Sequence, residues 1–177
     1  AAREEQVLGF MVTAWGDDGE ECLFSLLDPL LLATMEIAEG SGEWERKWTA
    51  LTGENENQVR VRKTLGRSSV SNNIKKALYF WGEDFEELGI KEEWENILRE
   101  IKDIELPPDL SFIRECIRIG VLKARGKVSP SDYIALSRDY SRLWLNERKP
   151  EGLERIIIRM WGAAGLADSK IKQTLNL

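Results

Sequence analysis

One short basic segment carries the residue types that could bind a phosphate backbone. Residues 58–76 contain six basic side chains and no acidic one. Guanidinium and ammonium groups hold phosphates, whereas amides and hydroxyls can read the edges of bases in a groove. The segment therefore predicts contact with DNA or RNA through Arg60, Arg62, Lys63, Arg67, Ser69, Asn72, Asn73, Lys75 and Lys76.

The order of residues in 59–78 resembles a generic helix-turn-helix motif. Gly66 would form the turn, and the helix after it would direct three aliphatic residues inward, namely Val70, Ile74 and Leu78. The resemblance implies that the second helix enters a major groove with its short polar side chains toward the bases. The alternating Val59-Arg60-Val61-Arg62 pattern fits an edge strand equally well. In that alternative, a basic strand or loop leads into an ordinary core helix.

The sequence offers little for catalysis or metal binding. The 177 residues include no histidine, which excludes Ser-His-Asp and Cys-His catalysis and histidine-ligated zinc. The two cysteines, Cys22 and Cys116, are too few for a four-cysteine zinc site or a disulfide framework. We interpret both as buried, reduced thiols of an intracellular protein of the cytoplasm or nucleus. No phosphate-cradling glycine loop or dinucleotide fingerprint occurs, so we expect no enzymatic activity, catalytic residue, metal or cofactor.

Charge is distributed in blocks of alternating sign. The net charge of −6 combines acidic segments at 1–57 and 77–110 with basic segments at 58–76 and 111–177. The average field of an acidic protein repels phosphate, so only a local basic patch could bind nucleic acid. The alternative function is a protein–protein interaction or structural assembly module, such as a viral or mobile-element component. In that case the blocks would pair between copies as the chain self-associates.

Apolar periodicity predicts a mainly α-helical fold with seven or eight helices in a single-domain bundle. We divide it into an acidic N-terminal segment at 1–57 and a helical core at 58–177, which together form one domain. Residues 6–27 fit a small β-hairpin around a Gly-Asp-Asp-Gly turn, and two helices interrupted at the glycines fit as well.

After the hairpin, Asp28 is the predicted cap of a short, well-buried helix. Leu30, Leu31, Leu32, Met35 and Ile37 supply its apolar residues. The longest apolar stretch, 23–38, contains two carboxylates and is shorter than the ~20 residues of a membrane span.

Overall fold

The fold is mainly helical, as the sequence predicts. The computed structural model describes residues 11–13, 22–67, 70, 73–74, 78 and 90–165. Within these ranges it contains a short 3-10 helix, Phe24–Leu26, and no β-strand. The α-helices of the described residues are α1 (Asp28–Glu39), α2 (Trp44–Thr52), α3 (Glu56–Leu65), α4 (Lys91–Glu100), α5 (Pro108–Ala124), α6 (Pro130–Glu147) and α7 (Leu153–Ala163).

Local side-chain chemistry explains where several helices begin and end. The Asn55 carboxamide accepts a hydrogen bond from Gln58 N, and the Gln58 side chain accepts one from Asn55 N, which forms a capping box for α3. Ser129 and Asp132 form a second capping box, at the start of α6. Such caps satisfy backbone donors that the first turn of a helix leaves unpaired. Gly40 ends α1 with a φ of 81°, a left-handed conformation that favours glycine.

The core lies among the C-terminal helices. Helix α4 packs on α5, α5 on α6, and α6 on α7, and α3 also contacts α5. Their apolar faces bury large side chains completely, among them Trp94, Ile117, Tyr133, Leu136 and Met160. Helices α1 and α2 pack on each other, and α2 contacts α3. The N-terminal helices therefore reach the core through α3 and through the segment that precedes α1.

The predicted β-hairpin at 6–27 is not supported. Most of it lies outside the described residues, and the part at 22–27 contains the 3-10 helix where a strand was expected. Asp28 is the first residue of α1 and not its cap. The reason is that Leu27 already has helical dihedral angles, φ −89° and ψ −29°, so the chain enters α1 directly from the 3-10 helix.

The prediction that α1 is well buried is wrong. The residues of α1 that are buried are Pro29 and Glu36, whereas four of its five large apolar residues are exposed. The interpretation of both cysteines as buried is also half wrong, because Cys22 is exposed and Cys116 is buried. No helix among the described residues has the length and apolar character needed to cross a membrane.

Candidate functional site

The predicted basic segment begins on α3, which is a helix and not an edge strand. Val59, Val61 and Leu65 are buried, so the alternating pattern is accommodated by a helix with a broad inner face. Arg60, Lys63 and Arg67 are exposed. Their spacing of i, i+3 and i+7 is that of one helical face, although Arg67 follows the last residue of α3. Lys63 Nζ lies 2.6 Å from a carboxylate oxygen of Glu45 on α2.

Arg62 does not belong to this exposed face, which corrects its assignment as a phosphate contact. Its side chain is only 7% exposed and forms ion pairs with Glu54 and, at 2.7 Å, with Asp109 of α5. Trp48 contributes further: its Nε1 donates to Glu54 at 2.9 Å, and the Arg62 guanidinium lies over its ring. Burial opposes the charge of Arg62, but the hydrogen bonds that Arg62 donates to Glu54 and Asp109 outweigh this effect, so the pKa of Arg62 is raised.

The rest of the predicted site is described only in part. Val70 and Leu78 are helical and buried, and Ile74 is helical and packs half-buried against the core. Asn73 is helical and half-buried. The remaining predicted contacts lie outside the described residues: Ser69, Asn72, Lys75 and Lys76.

A different surface stands out on the outer side of α1. Leu30, Leu31, Met35 and Ile37 are 63%, 47%, 62% and 68% exposed. Thr34 lies between them on the helix. Its hydroxyl donates to Leu30 O at 2.8 Å, so its hydrogen-bond donor is paired within α1. Helix α1 contains no lysine or arginine, and its acidic residues are Asp28, Glu36 and Glu39. We call the four apolar residues the outer face of α1.

An apolar groove continues this face toward the core. It encloses about 280 Å³ and shares Leu30 with the outer face of α1. Its other lining residues come from the segment before α1, from α3 and the residues after it, and from α5: Cys22, Leu26, Leu27, Arg62, Leu65, Gly66, Ile74, Leu110 and Ile113. We call the outer face of α1 together with this groove the docking surface. It joins a convex apolar strip to a concave apolar pocket.

The C-terminal end of α6 fixes the start of α1 beside the groove. The Glu147 carboxylate accepts hydrogen bonds from Phe24 N at 2.6 Å and Ser25 N at 3.2 Å. Arg148 donates to Cys22 O at 2.7 Å, and its guanidinium lies 3.8 Å from the Phe24 ring centroid and 4.5 Å from that of Trp144. Charge-assisted hydrogen bonds and cation–π contacts therefore attach the segment before α1, which lines one side of the groove, to the end of α6.

Helix α1 is held on its inner side by an ion pair to α2. Lys47 Nζ lies 2.6 Å from a Glu36 carboxylate oxygen, and the Ser41 hydroxyl donates to the same carboxylate. The hydrogen bond from Lys47 is the main cause of a lowered Glu36 pKa, with a further contribution from Ser41. The single buried charge of α1 is thus paired, and its apolar residues are left on the solvent side.

A second cavity, between α5 and α6, is less suited to binding an apolar group than the groove is. It has a volume of about 420 Å³, and its lining includes the charged residues Arg114, Asp139 and Arg142. Arg142 bonds Asp139 at 3.1 Å, and Arg114 bonds Ser111 at 3.3 Å. Within the part of the chain that the structure describes, no three acidic or cysteine side chains cluster as a metal site would require.

The outer face of α1 was not predicted from the sequence, because its apolar residues are of the type that forms a core. An apolar segment with leucines around most of its circumference is typical of a buried helix. Two features of the sequence point to the exposure of α1: the helix is short, and the acidic segment around it offers few apolar partners. Comparisons with protein-family models, curated proteins and solved structures found no match to this chain.

Proposed function

We propose that this protein is a non-catalytic interaction module that binds another protein through the docking surface. The observation that carries the proposal is the outer face of α1, where four large apolar side chains are about half or more exposed. Contiguous apolar patches rimmed by polar residues are typical of protein-binding surfaces. Isolated exposed leucines, by contrast, are common and need no explanation.

The shape of the docking surface supports the same function. Leu30 and Ile37 at i and i+7, and Leu31 and Met35 at i and i+4, form two adjacent apolar rows on α1, which together offer a broad apolar face to a partner. The adjoining groove can accept one large side chain, and such buried anchors dominate the free energy of many interfaces. The clamp of Glu147 and Arg148 on residues 22–25 sets this geometry before any partner arrives. Preorganisation of this kind reduces the entropic cost of binding.

Site-specific crosslinking in the native host tests the proposal. A photo-crosslinking amino acid replaces Leu31 in one variant and Leu145, an exposed leucine of α6, in a matched control. We expect a discrete adduct of defined mass from position 31 that is absent from position 145. Adding Ile37→Gln should reduce that adduct. Equal adducts from both positions, or none from position 31, would contradict the proposal.

Nucleic-acid binding is the second candidate function, and the stripe of Arg60, Lys63 and Arg67 favours it. Three exposed basic side chains at helical spacing can contact successive phosphates. Each contact adds about 0.9 to the slope of log affinity against log salt on duplex DNA. The variant in which Arg60, Lys63 and Arg67 are all replaced by alanine should therefore bind DNA more weakly. Its slope of log affinity against log salt should be shallower by about three times 0.9.

A control for this experiment replaces three other exposed basic residues with alanine, namely Arg99, Lys102 and Lys127. It lowers the net charge equally but leaves the α3 stripe intact, so we expect the wild-type slope. The absence of wild-type binding to DNA or RNA at low salt would remove this second candidate.

A further inference from the structure

We infer that the partner of the docking surface is an amphipathic helix with an apolar face and basic flanks. This inference rests on the proposed function and adds the chemistry of the partner. Its first support is geometric. Helix α1 has 12 residues and is about 18 Å long, which matches a partner helix of three to four turns laid along it. One large apolar side chain of that helix would enter the groove next to Leu30.

Charge supplies the second argument. Asp28 and Glu39 are exposed at the two ends of α1, and no basic residue of α1 neutralises them. Arg62 lines the groove, but it shares its single positive charge with the buried carboxylates of Glu54 and Asp109. That cluster therefore carries a net negative charge when all three groups are ionised. Complementary potentials across an interface favour a partner with lysines or arginines beside its apolar face.

The nearby arginines do not reverse this preference on α1. Arg148 stacks on Phe24 and Trp144 and donates to Cys22 O. Arg67 is exposed, but it follows Gly66 on the α3 side of the groove and not on α1. A partner that lies along the outer face of α1 therefore has Asp28 and Glu39 at its two ends and no basic residue of α1 beside it.

The same charges argue against a second copy of this chain as the occupant. Antiparallel pairing of two α1 helices would bring Asp28 of each copy near Glu39 of the other, and like charges placed together are unfavourable. An anionic membrane surface is equally unsuited, because interfacial helices carry lysines and arginines on their polar face and α1 carries none.

Model peptides test the inference directly. The probe is a designed amphipathic peptide of about 15 residues with leucines on one face and lysines on its flanks. A second peptide keeps the leucines and replaces the lysines with glutamates, and a third keeps the lysines and replaces the leucines with glutamines. Binding to the full chain is followed by fluorescence anisotropy and by the labelling rate of Cys22, which is exposed and lines the groove. Cys116 is buried and serves as the internal control.

We expect micromolar binding of the basic amphipathic peptide and slower labelling of Cys22 in its presence. The acidic peptide should bind at least about tenfold more weakly, which corresponds to about 1.4 kcal/mol. The peptide without leucines should not protect Cys22. The chain variant Leu31→Gln/Ile37→Gln should lose at least about tenfold in affinity. The matched variant Leu51→Gln/Leu145→Gln changes two exposed leucines outside the docking surface and should bind as the wild type does.

The contrary outcomes separate the inference from the proposed function. Equal binding of the basic and acidic peptides, or no binding of the basic peptide, would overturn the inference about charge and leave the crosslinking result to judge the interaction module. A wild-type dimer that Leu31→Gln/Ile37→Gln dissociates would replace the basic helix with a second copy as the occupant. Peptide binding unaffected by Leu31→Gln/Ile37→Gln would contradict both.

Discussion

Arg62 and Lys63 are adjacent in sequence, but they experience opposite environments. Arg62 is buried between two carboxylates, whereas the Lys63 side chain is 53% exposed and pairs with Glu45 at the surface. Removing one partner of a buried ion pair costs about 3–5 kcal/mol, because the remaining charges stay desolvated. An exposed pair contributes about 0–1 kcal/mol. We therefore expect Arg62→Ala to lower the free energy of unfolding severely and Lys63→Ala to change it little, as measured by urea denaturation.

A second variant shows whether uncompensated charge causes the loss at Arg62. Adding Glu54→Gln and Asp109→Asn to Arg62→Ala removes both buried carboxylates and should restore part of the stability. If Arg62→Ala and Lys63→Ala lower the free energy of unfolding equally, the burial of Arg62 has no energetic consequence and its placement in the core is wrong.

The thiols of Cys22 and Cys116 also differ in their exposure to solvent. Burial raises the pKa of the Cys116 thiol well above its ordinary value, and the nearby Glu115 charge raises it further. Cys22 is exposed. Because the thiolate is the reactive form, a thiol reagent at mildly alkaline pH should label one cysteine per native chain and two in urea. Mass spectrometry assigns the sites; rapid native labelling of Cys116 would contradict its burial.

For individual residues, the sequence could identify the chemical type of a side chain but not the residues with which it pairs. Arg62 looked like a phosphate ligand because its neighbours are basic. One of its two carboxylate partners, Asp109, is 47 positions away in sequence, and no local pattern connects it with Arg62. Arg60 and Arg67 are exposed, and the sequence alone could not distinguish them from the buried Arg62.

At the scale of the helices, local signals succeeded where the chemistry is local. Two such signals can be read directly in the sequence. A serine followed three positions later by an acid, Ser129 and Asp132, begins α6, and the apolar stripe of Ile90, Trp94, Ile97 and Ile101 follows α4 and its two flanking residues. The exposure of α1 could not be predicted in this way. Whether an apolar helix is enclosed depends on how many neighbours pack around it, and among the elements that the structure describes α1 contacts mainly α2 and the 3-10 helix.

The attachment of α1 to α2 should depend on pH through Glu36. Its pKa lies below the ordinary value of 4.5, mainly because of the hydrogen bond from Lys47. A lowered pKa in the folded state means that the stabilisation is complete above pH 4.5 and is lost as the pH falls through the lowered value. We expect the amide-exchange protection of α1 to decrease selectively on acidification below pH 4.5.

Glu36→Gln should reproduce this loss at neutral pH, because glutamine keeps the shape of the side chain and removes the charge that holds Lys47. Its α1 amides should exchange faster than those of the wild type at pH 6 and should show little further change on acidification. Glu39→Gln, at the exposed end of the same helix, is the matched control and should leave the pH profile of α1 unchanged. Loss of protection that is equal in α1 and α6 would indicate global unfolding and contradict the local role of Glu36.

For the whole molecule, the net charge opposes association between copies, whereas exposed apolar surface such as the outer face of α1 favours it. The net charge is −6 at pH 7, and the isoelectric point is about 5.0. Near pH 5 the repulsion vanishes while the apolar attraction remains, and proteins without net charge tend to associate. We expect light scattering of the purified protein to rise to a maximum near pH 5.

Leu31→Gln/Ile37→Gln should lower that maximum without moving it, since these substitutions leave the charge unchanged. Leu51→Gln/Leu145→Gln removes a similar amount of exposed apolar surface elsewhere and should scatter as the wild type does. If both double variants lower the maximum equally, association at the isoelectric point is nonspecific and the outer face of α1 has no special part in it.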